Sequence, residues 1–276
     1  MESNFVEING LKLHYLKLGN GPPLVFLHGH RSDAMRWIKL IEKASEKFTI
    51  YAPDLPGFGL SEQLKTTHKL KNFVPYIEEF VQKIGLEKYY LSGGSMGANI
   101  ALLMANHNPK AIIKLFLIVP LYNRGSLKMR KAKILSALTI IRVLPKAHIY
   151  NFFDWFIKKD KLFKNFLKWR FPKEERDDSI INYETHQWRI MSIKVWAETL
   201  SDLLKSDFSK FSPINVPSTV FLAGEDQYLN VDKEAEGFKK LLPNGKIVVV
   251  PKVPHVPKGD IPQSLIDKLD VYFNEL

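Results

Sequence analysis

Short apolar segments with β-strand character alternate with segments of helical periodicity, and this alternation constrains the fold more than any other feature of the chain. Between the second and third such strands, for example, apolar residues recur at helical spacing over Leu70–Ile84. Strands that are apolar throughout and separated by helices are typical of a parallel sheet with helices on both faces. The strand segments are PLVFLHG at 23–29, FTIYAPD at 48–54, KYYLSGG at 88–94 and IIKLFLIVP at 112–120.

The alternation stops after Pro120 and resumes with VPSTVFLAG at 216–224. Residues 121–204 are instead aromatic-rich, basic and helix-like. The net charge of +11 is concentrated there, since residues 121–200 contain 17 Lys and Arg but only 8 Asp and Glu. The sequence therefore predicts an α/β core made of residues 1–120 and 205–276, interrupted by an all-helical cap at 121–204.

The composition limits which catalytic and metal sites the chain can form and indicates where in the cell the protein is located. The chain has no cysteine, which excludes disulfides, zinc–thiolate sites and a cysteine nucleophile. The N-terminal residues lack a basic and then apolar leader pattern, and no apolar stretch approaches the ~18 residues of a membrane span. These observations favour a cytoplasmic protein.

One serine, Ser95, lies between Gly93 and Gly97, directly after a strand segment and directly before a helical one. The two glycines would allow the strand and the helix to approach closely, and the turn would raise the serine hydroxyl above the sheet. The Met96 N–H would then lie at a helix N-terminus, where backbone donors and the helix dipole favour an oxyanion. This strand–turn–helix setting is that of a nucleophile elbow.

A serine hydroxyl needs a base that takes its proton and a third group that orients the base. Two later strand segments end in suitable residues, because Glu225 and Asp226 follow the first and His255 follows the second. The order Ser95, Asp226, His255 is the one expected for a catalytic triad on this type of sheet. We predict Asp226 as the acid, with Glu225 as the alternative.

Together these motifs resemble the α/β-hydrolase-fold serine hydrolases, in particular capped esterases and lipases. His28-Gly29 resembles the HG loop of that family, and residues 54–61, DLPGFGLS, resemble its D-x-x-G-x-G-x-S loop. The resemblance implies that the N–H of His30, the residue after the HG pair, forms the oxyanion hole together with that of Met96. We expect His28 to have a structural role, with its side chain bonded within its own loop.

The sequence departs from the family pattern at two positions. Pro254 precedes His255 where a glycine is usual, and Gly94 precedes Ser95 where many esterases have histidine. The resulting GGSMG is similar to the elbow of proline iminopeptidases, and the DLPGFGLS loop is similar to that of carbon–carbon bond hydrolases and epoxide hydrolases. Epoxide hydrolases and haloalkane dehalogenases use an aspartate nucleophile, so Ser95 argues against both.

The resemblance implies hydrolysis of a carboxylic ester of a small or medium-sized apolar substrate through an acyl-enzyme, with no cofactor. Carbon–carbon bond hydrolysis and amide hydrolysis of the proline iminopeptidase kind are alternatives on the same triad. A small-molecule receptor of the same fold is the alternative outside enzymes. A metal at His28 and His30 is disfavoured because no third ligand lies nearby in the sequence.

The cap segment 151–171, NFFDWFIKKDKLFKNFLKWRF, combines aromatic and basic residues at helical spacing. The favoured interpretation is a cap helix that folds its apolar face onto the active site and leaves its lysines in water. The alternative is a weak contact with an anionic membrane. No nucleic-acid-binding motif accompanies the charge, so no nucleic-acid partner is expected.

Overall fold

The computed structural model describes residues 1–128, 146–170, 176–255, 263 and 266–269, and an eight-stranded sheet forms the centre of this part of the chain. The strand order is β1-β2-β4-β3-β5-β6-β7-β8. Strand β2 pairs antiparallel with β1 and β4, and every other pairing is parallel. The strands are β1 Glu2–Ile8, β2 Leu11–Leu18, β3 Pro23–Leu27, β4 Thr49–Pro53, β5 Tyr89–Gly94, β6 Ile112–Ile118, β7 Ser218–Ala223 and β8 Gly245–Val250.

Helices cover both faces of this sheet, as the sequence predicted. Helices α2, α3 and α8 pack on one face, and α1 and residues 266–269 pack on the other. The helices are α1 Ile38–Ser45, α2 Leu70–Lys83, α3 Met96–His107, α4 Lys146–Lys158, α5 Asp160–Arg170, α6 Asp178–Arg189, α7 Ile193–Leu203 and α8 Val231–Leu241.

The apolar strands are buried on both sides because successive side chains point to opposite faces. In β6, Leu115 and Leu117 enter the core beneath α2, α3 and α8, whereas Phe116 and Ile118 enter the core beneath α1. All four are almost fully buried. This explains why the strand segments read as unbroken apolar runs.

The described part of the region between β6 and β7 forms helices α4–α7, in agreement with the predicted helical cap. These helices share a small core of their own, made of Ile157, Phe163, Leu167, Ile181 and Ile193. An antiparallel bridge between Asn123 and Asp207 joins the two ends of the insertion. The boundaries 121–204 remain a prediction, and residues 129–145 and 171–175 of that range lie outside the described residues.

None of the helices in the described ranges is long and apolar enough to cross a lipid bilayer.

Candidate active site

The turn that carries Ser95 connects β5 directly to α3. Ser95 has φ +51°, a left-handed conformation that few non-glycine residues adopt. A Cβ on Gly93 would collide with the backbone of Gly97, and a Cβ on Gly97 would collide with the carbonyl oxygen of Leu27. Both glycines are therefore required because the strand and the helix approach too closely for any side chain.

A steric constraint, not visible in the sequence, explains why position 94 has a glycine where many esterases have histidine. A Cβ at this position would collide with the outer ring of the Trp37 indole. Trp37 also packs against Phe26 of β3, with the ring centroids 5.2 Å apart. Trp37 thus occupies the space that a side chain at position 94 would need.

The structure brings Ser95, His255 and Asp226 together at the carboxyl ends of the strands. Oγ of Ser95 lies 3.2 Å from Nε2 of His255, and Nδ1 of His255 lies 2.6 Å from Oδ2 of Asp226. Asp226 follows β7 and is buried, whereas the adjacent Glu225 is exposed. Asp226, not Glu225, contacts the histidine.

The loop after β7 fixes the carboxylate of Asp226 with backbone hydrogen bonds. Its Oδ1 accepts the N–H groups of Tyr228 and Leu229, each at 2.8 Å. Oδ2 is therefore directed at His255. The same loop holds the histidine, because the His255 N–H donates to Oε1 of Gln227 at 3.1 Å and the Tyr228 ring meets the imidazole edge-on at 5.6 Å.

This arrangement selects one tautomer of the neutral imidazole. An ionised Asp226 can only accept a hydrogen bond, so Nδ1 of His255 carries the proton. Nε2 is then free to accept the hydroxyl proton of Ser95. The three side chains can therefore move a proton from the serine to the histidine while the aspartate stabilises the resulting imidazolium.

The HG loop lies against the elbow. A Cβ added to Gly29 would be 3.5 Å from the Cβ of Ser95, which places the next residue, His30, beside the serine. The Leu55 N–H donates to Nε2 of His28 at 2.9 Å, so Nδ1 of His28 is the protonated nitrogen, and it donates to the carbonyl of Gly29 at 2.8 Å. Burial lowers the pKa of His28, which keeps this structural ring neutral.

Met96 is the first residue of α3, where backbone N–H groups have no partner within the helix. His30 follows the HG pair in the sequence and Met96 follows Ser95, and their part in an oxyanion hole remains a prediction. Within the described ranges, no group of three or more His, Asp or Glu residues is placed to hold a metal ion.

The family-like loop at residues 54–61 is organised by Asp54. Its Oδ1 accepts the Ala34 N–H at 2.8 Å, and its Oδ2 accepts the Leu60 N–H at 2.9 Å and lies 2.8 Å from Nδ1 of His14. Gly59 has φ +53°, and a Cβ there would collide with the Asp54 carboxylate. Asp54 thus connects its own loop to the segment that follows the HG motif.

Two contacts between the HG loop and the cap were not predicted from the sequence. Nε2 of His30 donates to the carbonyl of Trp196 in α7 at 3.1 Å, and burial lowers the pKa of His30 to about 4, so the ring is neutral. Arg31 pairs with Glu184 of α6 at 2.6 Å, and the Glu184 side chain is buried. These partners lie more than 150 residues apart, and no local pattern relates them.

Glu234 of α8 is a further buried acid that the sequence did not single out. It is fully buried, and its Oε2 accepts the N–H of Tyr122 at 2.7 Å. Burial, together with the charge of Asp226, raises the pKa of Glu234 to about 8. At neutral pH it is therefore mostly protonated and adds little negative charge near the Asp226 loop.

A serine at a sharp strand-to-helix turn, hydrogen-bonded to a histidine from a later strand end on a mostly parallel sheet, defines an α/β protein of the hydrolase type. The chain matches the family described as alpha/beta hydrolase fold over residues 22–260, and it belongs to that family.

Named relatives match a part of the chain. The soluble epoxide hydrolase of Corynebacterium sp. (strain C12) is 34% identical over 111 residues, which are 40% of this chain and 39% of the relative. The (E)-2-((N-methylformamido)methylene)succinate hydrolase of Acinetobacter baylyi (strain ATCC 33305 / BD413 / ADP1) is 30% identical over 116 residues, 42% of this chain and 44% of the relative. The chain thus spans less than half the length of these curated relatives.

Among solved structures, a membrane phospholipase A described as a bacterial virulence factor superposes with a TM-score of 0.76 and 22% identity, covering 99% of this chain and 86% of that one. At this identity the likeness concerns the fold alone.

Proposed function

We propose that the chain is a serine hydrolase that cleaves carboxylic esters through an acyl-enzyme intermediate. The observation that carries the proposal is the continuous relay from Ser95 through His255 to Asp226, with the aspartate fixed by two backbone donors. Such a relay supplies the base and the orienting group that a serine nucleophile requires.

In the proposed reaction, Nε2 of His255 takes the hydroxyl proton while Oγ of Ser95 attacks the ester carbonyl carbon. The N–H groups of His30 and Met96 bind the oxyanion of the tetrahedral intermediate. The imidazolium then gives its proton to the departing alcohol, which leaves the acyl group on Ser95. A water molecule, deprotonated by His255, releases the acid by the same steps.

The surroundings of His30 favour an apolar acyl group. The His30 ring has the Phe58 ring at 6.3 Å and the Trp196 ring at 6.2 Å. In the proposed reaction the acyl group occupies an apolar pocket beside these rings. Each buried methylene contributes about 0.8 kcal/mol, so three additional CH₂ groups should raise kcat/KM by up to ~50-fold before that pocket is filled.

The serine nucleophile and the apolar acyl pocket can be tested together. The substrates are p-nitrophenyl esters of increasing acyl length, and the proteins are the wild type and Ser95→Ala. We expect multiple turnovers with the wild type and a loss of about 10⁴-fold or more in Ser95→Ala, whose fold should be intact. Wild-type kcat in purified Ser95→Ala would contradict the assignment of the nucleophile. A single turnover by the wild type would favour a receptor, and a preference for acetyl over every longer chain would contradict the apolar pocket.

Amide hydrolysis or carbon–carbon bond cleavage on the same triad is a second candidate. Amide hydrolysis is favoured by the relative named (E)-2-((N-methylformamido)methylene)succinate hydrolase, because the N-methylformamido group in that name is an amide. The relative named as an epoxide hydrolase does not favour epoxide opening here, because that reaction uses an aspartate nucleophile and this chain has Ser95. Matched p-nitroanilides and a diketone, assayed beside the esters, distinguish the candidates.

A further inference from the structure

Helices α4 and α5 carry large aromatic side chains that are exposed. Trp169 is 75% exposed, Phe152 56% and Trp155 50%. The favoured interpretation of the sequence placed Phe152, Trp155 and Phe166 on an apolar face folded onto the active site, but these three side chains are exposed. We use the term aromatic face for the exposed residues Phe152, Phe153, Trp155, Phe166 and Trp169.

The aromatic face is one continuous surface across both helices. The Phe152 ring lies 5.9 Å from Trp155 and 6.4 Å from Phe156, measured between ring centroids. The Phe156 ring lies 5.6 Å from Phe166, which in turn lies 6.1 Å from Trp169. Isolated exposed apolar residues are common, but a connected set of this size marks an interaction surface.

The aromatic face is not needed to hold α4 and α5 in place. Other residues of these helices, Ile157, Phe163 and Leu167, supply the buried contacts with α6 and α7. The carboxylate of Asp154 accepts the N–H of Ile193 at the start of α7 at 3.0 Å. The exposed rings are therefore presented by helices that are anchored from their opposite side.

Positive charge accompanies the rings. Residues 146–170 contain seven Lys and Arg but only two Asp. Lys164 and Lys168 pair with Asp160 and Asp178, whereas Lys158, Lys159 and Lys161 at the junction of the two helices are exposed. Lys159 lies over the Trp155 ring at 5.4 Å.

We propose that the aromatic face docks into the headgroup region of an anionic lipid bilayer. Tryptophan and phenylalanine on one face of a basic helix are typical of helices that lie in the plane of a membrane interface. The junction lysines would contact anionic headgroups, which attract basic residues near the surface. A second copy of the chain is a poorer partner, because its identical face carries the same positive charge.

Flotation with vesicles of ether-linked lipids tests the proposal without any ester that could be hydrolysed. We expect binding to vesicles with about 30% anionic phosphatidylglycerol, weak binding to pure phosphatidylcholine, and release as salt is raised from about 0.05 to 0.5 M. Brominated lipids should quench part of the tryptophan fluorescence, and Trp169→Phe should reduce that quenching.

Reversing the charge of the lysines at the junction of α4 and α5 distinguishes docking through the aromatic face from a general attraction of the basic protein to anionic lipid. Each lysine near an anionic surface contributes about a fivefold factor, so Lys158→Glu/Lys159→Glu/Lys161→Glu should bind at least ~100-fold more weakly. The matched control is Lys71→Glu/Lys239→Glu/Lys240→Glu, which changes the net charge equally at exposed lysines of α2 and α8. It should stay within ~3-fold of the wild type.

A second set of variants removes rings from the aromatic face. Phe152→Ala/Trp169→Ala should weaken vesicle binding about 10-fold or more, whereas Phe5→Ala, which removes an exposed ring from β1, should not. Unaltered thermal unfolding and ester turnover of each variant in solution show that its fold is intact.

The proposal is overturned if both charge-reversal variants bind vesicles equally well, or if the wild type does not bind anionic vesicles. Concentration-dependent dimerisation that Trp169→Ala abolishes, in a protein that does not bind vesicles, would instead assign the aromatic face to a second copy of the chain.

Discussion

Replacing Asp226 by asparagine probes the proposed relay at its most constrained side chain. Oδ1 of Asp226 already accepts the N–H groups of Tyr228 and Leu229. An asparagine keeps both bonds only if its carbonyl oxygen occupies the same place, so its amide nitrogen must face Nδ1 of His255. The imidazole would then carry its proton on Nε2, where it can no longer take the proton of Ser95.

The size of the effect follows from the same geometry. Turning the amide over would restore the active tautomer but would leave two backbone N–H groups without an acceptor, at about 1 kcal/mol each or more. Together the two unpaired N–H groups cost about 2 kcal/mol. Only a few per cent of the molecules would therefore have the amide in the active orientation, which lowers kcat by at least ~30-fold. Losing the charge that stabilises imidazolium brings the expected loss to about 10³–10⁴-fold.

The measurement is kcat for a p-nitrophenyl ester in Asp226→Asn, with Glu225→Gln as the matched control. Glu225 is the neighbouring carboxylate and its side chain is exposed, so its variant should stay within ~3-fold of the wild type. Thermal unfolding of Asp226→Asn should change little, because both backbone donors stay bonded. A folded Asp226→Asn that keeps more than a tenth of the wild-type kcat, or a larger loss in Glu225→Gln, would contradict the role of Asp226 in the relay.

Two further substitutions test packing and ionisation near the site. Gly94→Ala should destabilise the protein by about 1–3 kcal/mol through its collision with Trp37, and Trp37→Phe in the same chain should recover part of that loss in urea unfolding. Glu234 keeps its proton up to about pH 8 when folded but loses it near 4.5 when unfolded, so the wild type should become less stable as pH rises through this range. This loss in the free energy of unfolding of the wild type is at most about 5 kcal/mol, and Glu234→Gln should remove it. Identical pH profiles of unfolding for the two proteins would contradict the raised pKa of Glu234.

The sheet was predictable because its signals are local. The apolar run of β6 and the helical spacing of α2 each identify an element by themselves, and parallel pairing follows from their alternation. The proposed triad could be predicted for a related reason. Each of its residues, Ser95, Asp226 and His255, follows a recognisable strand, and the carboxyl ends of parallel strands meet at one edge of the sheet.

The sequence could not show which side of the cap helices is buried. Helical spacing groups Phe152, Trp155, Phe163 and Leu167 on overlapping faces, but only the position of α6 and α7 decides which of them are covered. Phe163 and Leu167 contact those helices, and Phe152 and Trp155 are left in solvent. Glu184 was missed for a similar reason, since an acid at a helix position is usually solvated and nothing local marks it as buried beside Arg31.

The contacts between the cap and the core also bear on how this fold could be re-engineered. The carboxylate of Glu198 holds His68 through both its backbone N–H and its ring, as Glu184 holds Arg31. Transplanting a foreign cap onto this core would therefore leave a buried histidine ring and an arginine beside the elbow without their carboxylates. We therefore expect a folded chimera only if the segments around residues 28–36 and 64–70 are exchanged together with the cap, so the part of the chain that can be exchanged as one unit is discontinuous in the sequence.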